Sequence, residues 1–208
     1  VLRPTDRLLD IETGDGAYLL SLRHPYEQTA ATERFKSDYE MCENELAPLG
    51  ITIRRADASC EPLPFTDASF DMVINRHGAY MAGEINRVLK PGGVYVTEQV
   101  GCRNNMQLSR RILTNYMPEC PAHDLAHECA RFEDEGFELT IRREYFPKLR
   151  FYDVGAIAYY ASIMGIEFPG FSVDRCAREL LCLEREMEEC GVVESLQHLF
   201  MIVAKKPL

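Results

Sequence analysis

The chain has 208 residues, of which 46% are hydrophobic and 27% charged, with ten Tyr and ten Phe. That is enough to bury the core of one ordinary domain with room for a small subdomain, and it excludes wholesale disorder. Lys and Arg number 23 against 33 Asp and Glu, a net charge of −10, which repels phosphate backbones and argues against a nucleic-acid substrate.

No segment reaches the roughly 18 apolar residues of a membrane span. The longest apolar stretch, residues 154–166, contains Gly155 and Gly165 and reads as a buried helix. The N-terminus lacks the apolar centre of a signal peptide, and Val at position 1 in place of Met fits a processed chain or a fragment. Eight Cys occur without any Cys-x-x-Cys pair, so they are expected as thiols in a cytoplasmic, reducing setting.

Taken in chain order, residues 7–11 form a short apolar run ending in a glycine-bearing turn, and residues 17–22 a short helix stopped before Pro25. Residues 29–33 read as a strand. Phe35, Tyr39, Cys42 and Leu46 recur on one helix face, ended by Pro48 and Gly50. Strands are predicted at 51–56 and 70–75. A helix carrying Met81, Ile85, Val88 and Leu89 follows, then a Pro91-Gly92-Gly93 turn and a strand at 94–100. Helices are predicted at 106–116 and 124–135, a strand at 138–145, helices at 153–164 and 173–190, and a closing strand at 199–204. Cys176, Leu180, Leu183 and Met187 share a face of the last helix. Repeated strand–helix–strand units predict an α/β fold, a parallel doubly wound sheet with helices on both faces.

Such a sheet binds ligands at the carboxyl ends of its strands. Asp10-Ile11-Glu12-Thr13-Gly14-Asp15-Gly16 follows the first strand, and its glycines allow a sharp turn and a close backbone approach. The run is neither G-x-G-x-x-G nor a P-loop. Glu33 ends the second strand, where a carboxylate can accept both hydroxyls of a ribose, and Asp57 follows the third, where it can accept an exocyclic amine. Each alone is more often a solvated or turn carboxylate; together with the glycine turn, each following a strand in order, they are harder to dismiss as such.

Three stretches carry a family resemblance. Leu8-Leu9-Asp10-x-x-x-Gly14-x-Gly16 resembles the first motif of class I S-adenosylmethionine-dependent methyltransferases. Ala56-Asp57-Ala58 with Pro62-Leu63-Pro64-Phe65 and Phe70-Asp71 is similar to the family's run from its adenine-binding acid into strand four. Glu84-Ile85-x-Arg87-Val88-Leu89-Lys90-Pro91-Gly92-Gly93 is similar to the helix and turn before strand five. The resemblance covers about residues 7–100, in the style of the ubiquinone/menaquinone biosynthesis enzymes, and residues 138–145 and 199–204 resemble the family's final antiparallel hairpin. It implies a Rossmann-like seven-stranded, mostly parallel sheet over residues 1–145 and 196–208, with residues 146–195 as a helical insertion before the last strand.

The resemblance also implies S-adenosyl-L-methionine as donor. Carried over by position, Asp10, Gly14 and Gly16 line its methionine and ribose side and Glu33 holds the ribose hydroxyls. Asp57 takes the adenine amine with Ala58 beside the ring, and Asn75 and Arg76 face the methionine end. Two departures stand out. The family usually has Gly where this chain has Glu12, which either pairs with the ammonium or sulfonium charge or crowds the pocket. Only six residues precede the first strand, where the family places a helix that covers the cofactor.

Methyl transfer needs alignment and exclusion of water, and a base only when the acceptor must lose a proton. His77, in the loop after strand four, is the first base candidate and Glu98 the second; a packed loop histidine is the plainer alternative. Tyr80 could position an acceptor, and Arg150, Tyr152 and Asp153 could reach an acceptor pocket roofed by the aromatic insertion. Those aromatics equally suit a satellite core or a homodimer contact. Cys120, His123, His127 and Cys129 are metal-ligand types but match no zinc spacing, so no metal is assigned. The resulting expectation is methyl transfer to a small-molecule acceptor, without nucleic acid or membrane. A catalytically silent binding or regulatory protein, or an RNA base methyltransferase, is the alternative.

Overall fold

The structure is a computed structural model that describes residues 2–208. The chain divides into two compact units. One holds residues up to Gln99 with Leu125–Arg143 and Met201–Leu208, and the other Val100–Asp124 with Glu144–Phe200. The second unit thus takes in residues 100–124 as well as the insertion.

The first unit is built on a seven-stranded sheet of order β3-β2-β1-β4-β5-β9-β6. These strands are β1 (Leu8–Ile11), β2 (Thr29–Glu33), β3 (Thr52–Arg55), β4 (Phe70–Arg76), β5 (Leu89–Val100), β6 (Glu138–Tyr145) and β9 (Leu199–Lys205). β3, β2, β1, β4 and β5 are mutually parallel, with Asp10 opposite Ala31 on one side and Ile74 on the other. β9 runs against β5: Gly92, near the start of β5, donates its N–H to the carbonyl of Lys206, beyond the end of β9.

Strand periodicity of two decides which side chains meet which helices. Leu8, Ala31, Ile53 and Ile74 point to one face and pack with α1 (Ala17–Ser21) and α2 (Lys36–Glu45) through Leu19, Cys42 and Leu46. Tyr95 points to the other, toward α3 (Ala82–Val88) and α5 (Leu125–Asp134), where it clusters with Tyr80 and Phe132 at centroid distances of 5.7 and 5.2 Å. The predicted Pro91-Gly92-Gly93 turn is instead part of β5. Lys206 bonds on both sides of it hold the segment extended, and the register slips between Phe70 and Met72 to absorb it.

The second unit packs α4 (Met106–Ile112), α6 (Val154–Ile163) and α7 (Ala177–Cys190) with a two-stranded antiparallel ladder, β7 (Lys148–Phe151) and β8 (Val193–Leu196). The insertion is therefore helical with a β-ladder that the sequence pattern did not reveal. Leu180, Leu183 and Met187 form the buried stripe of α7, preceded by Cys176, as their spacing predicts. Two buried polar clusters here are hydrogen-bonded. Glu167 accepts N–H bonds from Asn104 (2.6 Å) and Asn105 (2.8 Å). His198 accepts the Arg103 backbone N–H at Nδ1 (3.0 Å), with Nε2 2.8 Å from Glu144.

Candidate functional site

Asp10 lies two residues beyond Leu8 and Glu33 two beyond Ala31, so both continue the α1/α2 face to the carboxyl ends of adjacent parallel strands. Both are buried. Asp10 accepts the Thr13 hydroxyl (2.7 Å), and Glu33 accepts the Gly14 backbone N–H (2.5 Å), which ties β2 to the glycine turn. Burial pushes each carboxyl up to about 7, and Glu33 is raised further by Asp38, Glu12 and Asp10. Gly14 and Gly16 both take left-handed backbone, with φ 66° and 73°. A Cβ at Gly14 would meet nothing within 4 Å, whereas one at Gly16 would strike Leu46 at 2.7 Å. Gly14 therefore leaves open space beside the turn, and Gly16 lets α1 settle on α2.

Asp57 stands past the end of β3, held by the Ser59 hydroxyl and by the Ser59 backbone N–H (3.0 Å). Those bonds, chiefly the hydroxyl, keep it below the usual carboxylate range. Ala58 beside it is buried. Glu12 senses both Asp57 and Arg34, so the strand-end carboxylates act on one another as one electrostatic cluster.

The fourth strand contributes differently from expectation. Asn75 is 1% exposed and has the parity of Tyr95, opposite to Asp10. Its Nδ2 donates to the Ile11 carbonyl (3.0 Å), and its Oδ1 accepts from Gln99 (2.5 Å). It is a tie between strands beneath the site rather than an exposed ligand. Arg76, next along, emerges with its guanidinium 4.5 Å from the Tyr18 ring on α1 and draws the Asp10 charge. His77 has φ 60°, donates its backbone N–H to the Glu98 carbonyl (2.9 Å), and brings Nε2 to 3.8 Å from Glu98 Oε1. Burial holds the imidazole below its ordinary value against the pull of Glu98.

The three acceptor-side candidates have different surroundings. Tyr80 is only 9% exposed, and its hydroxyl donates to buried Glu128 (2.7 Å) inside the aromatic cluster. Arg150 is taken up by Glu194 (2.8 Å) across the exposed β7–β8 ladder, where Lys148 joins the same carboxylate. Tyr152, just past β7, is 69% exposed. Within the first unit an open pocket of about 600 Å³ lies between Cys60, Met81, Glu84 and Arg131, and none of the predicted site residues lines it. Among the described residues no group of three or more His, Cys, Asp or Glu could hold a metal ion.

The sequence reading missed Tyr18 and Thr13, partners of Arg76 and Asp10. It also missed the role of Gly78: a Cβ there would lie 2.7 Å from the Cβ of Glu12 and 2.7 Å from Asn75 Nδ2. Nothing in the local sequence marks these contacts, apart from a glycine that no turn requires.

Comparison with known proteins bears on this site directly. Residues 9–97, which hold every strand-end carboxylate above, match the family model described as a methyltransferase domain. By that match, this part of the chain is similar to methyltransferase domains. The phthiotriol/phenolphthiotriol dimycocerosates methyltransferase of Mycobacterium tuberculosis is 30% identical to this domain over 99 residues, covering 43% of this chain and 36% of that protein. The chain thus spans about a third of that relative's length. Among solved structures, the YcgJ protein of Bacillus subtilis matches with a TM-score of 0.65 at 18% identity, over 99% of this chain and 94% of that one. A geranyl diphosphate methyltransferase, solved with GPP and sinefungin, matches with a TM-score of 0.59 at 16% identity, over 99% and 74%. At these identities the structural matches establish the methyltransferase fold.

Proposed function

We propose that this methyltransferase domain transfers a methyl group from S-adenosylmethionine to a small-molecule acceptor. One observation carries the reading. Asp10, Glu33 and Asp57 stand at the ends of three neighbouring parallel strands, with Glu12 between them, and the cluster stores negative charge in a partly desolvated place. A cationic, hydroxyl-bearing nucleoside answers both needs at once.

The residues present fit that group. Glu33 has one carboxylate oxygen on Gly14 and a second for ribose hydroxyls. Asp57, ionised and oriented by Ser59, suits an exocyclic amine with Ala58 along the ring. Gly14 leaves the room a ligand would take. When bound, S-adenosylmethionine supplies a methyl group on a sulfonium, which needs alignment and dryness more than activation. His77, whose hold on a proton is weakened by burial and which faces Glu98, is placed to accept a proton from an acceptor hydroxyl or amine. The named relatives are a phthiotriol/phenolphthiotriol dimycocerosates methyltransferase and a geranyl diphosphate methyltransferase, and the chain's net charge of −10 disfavours nucleic acid.

Calorimetry with S-adenosylmethionine tests the reading. Saturable heat with a folded protein supports it, and no heat at millimolar ligand overturns it in favour of a silent domain on the same fold.

A further inference from the structure

We infer that Glu12 is a ligand residue: its carboxylate takes the α-ammonium group of the donor's amino-acid tail. The inference rests on the cofactor reading above and names the residue that reads one end of the molecule.

Glu12 is the first residue past β1, and its backbone keeps the trace that a glycine would take, with φ 55°. A glutamate holds that left-handed conformation here, which bulky residues rarely adopt. Its direction is then fixed from the facing loop. A Cβ at Gly78 would lie 2.7 Å from the Glu12 Cβ and 3.1 Å from its Oε2, so the absence of a side chain at Gly78 makes the space that Glu12 fills. The Ala79 backbone N–H donates to the carboxylate. The other oxygen, Oε1, is buried, and no donor among the described residues reaches it.

A buried carboxylate oxygen lacking a donor is rare in native proteins, because the group has left water without compensation. Its surroundings define what would complete it. Glu33 and Asp57 add negative charge, and Arg34 is the cation acting on it. The missing partner is therefore positive and carries an N–H. A sulfonium carries charge but no N–H, whereas an α-ammonium supplies both.

The test is a cycle between residue and ligand group. Calorimetry compares S-adenosylhomocysteine with its analogue lacking the α-amino group, on the chain as it stands and on Glu12→Gln and Glu12→Gly. A circular-dichroism melt checks that each protein is folded. Removing the amino group is expected to weaken binding about tenfold or more in the unaltered protein, as for a hydrogen bond to a charged group. The penalty should shrink in Glu12→Gln, which keeps a neutral acceptor, and fall below about threefold in Glu12→Gly. An equal penalty in all three proteins overturns the inference. So does Glu12→Gly binding both ligands more tightly with the penalty unchanged, which would make Glu12 an obstruction. Binding by Glu12→Gly alone overturns the inference and leaves the cofactor reading standing. No heat from any of the three folded proteins overturns the cofactor reading itself.

Discussion

Glu12 and Gly78 are a fitted pair: the loop after β4 has no side chain where the loop after β1 has one too many. The hypothetical Cβ of Gly78 falls 2.7 Å from both the Cβ of Glu12 and Nδ2 of Asn75. Gly78→Ala should therefore cost about 1–3 kcal/mol of stability as overpacking. Adding Glu12→Gly should recover part of that loss, with Asn75 holding the remainder. Additive melting effects in the double variant would show that the two loops do not share this space.

Asp57→Ala should raise the dissociation constant for S-adenosylmethionine about tenfold. The fold should survive, because the Asp57 side chain bonds to its near neighbours Ser59 and Cys60 within one exposed turn. An unchanged affinity would remove Asp57 from the site.

His77→Ala should slow turnover on a proton-bearing acceptor by about 100-fold or more, while the affinity for S-adenosylmethionine stays within about twofold. With the imidazole below its ordinary value, the rate of the unaltered enzyme should rise with pH and level off by neutrality. Equal turnover in the variant would return His77 to a loop-packing role.

The buried carboxyls make the ligand-free domain less stable as pH rises. Asp10 and Glu33 start from ordinary values of 3.8 and 4.5 and reach about 7 when folded. The folded state holds their protons more tightly, so their stabilisation is complete below about pH 4 and gone above about pH 7. Glu33→Gln, which can still accept from Gly14, should raise the melting temperature at pH 7.5 by about 2–4 °C, equivalent to about 1 kcal/mol. It should also flatten the fall in stability between pH 4 and 7. A variant that melts lower at pH 7.5 would contradict this account.

Tyr80→Phe leaves Glu128, 2% exposed, with Arg131 but without the Tyr80 hydroxyl. A loss of about 1–2 kcal/mol is expected in chemical denaturation, with the acceptor KM unchanged. A raised KM at unchanged stability would restore Tyr80 to the acceptor site.

The positions of the seven sheet strands along the chain, the glycine turn and the strand-end acids were legible in the sequence because each is local. Alternation of apolar residues marks a strand, and the residue after it is a count. The stripe of α7 was equally plain, since Leu180, Leu183 and Met187 repeat with the helix. What local reading could not supply was which partner each polar side chain finds. Asn75 turned away from the site because strand parity sends it toward Thr97 and Gln99, 22 and 24 residues on. Tyr80 was claimed by Glu128, 48 residues on. The β7–β8 ladder closed over the whole of α6 and α7, so neither short strand showed its partner.

By itself, then, the sequence determined a parallel doubly wound sheet and the carboxylates at its edge, because periodicity and turn chemistry are properties of neighbouring residues. Only the tertiary structure decided that Glu12 keeps a bare carboxylate oxygen against Gly78 while Asn75, Tyr80 and Arg150 are already engaged. Those outcomes depend on space and hydrogen-bond partners brought together from segments far apart along the chain.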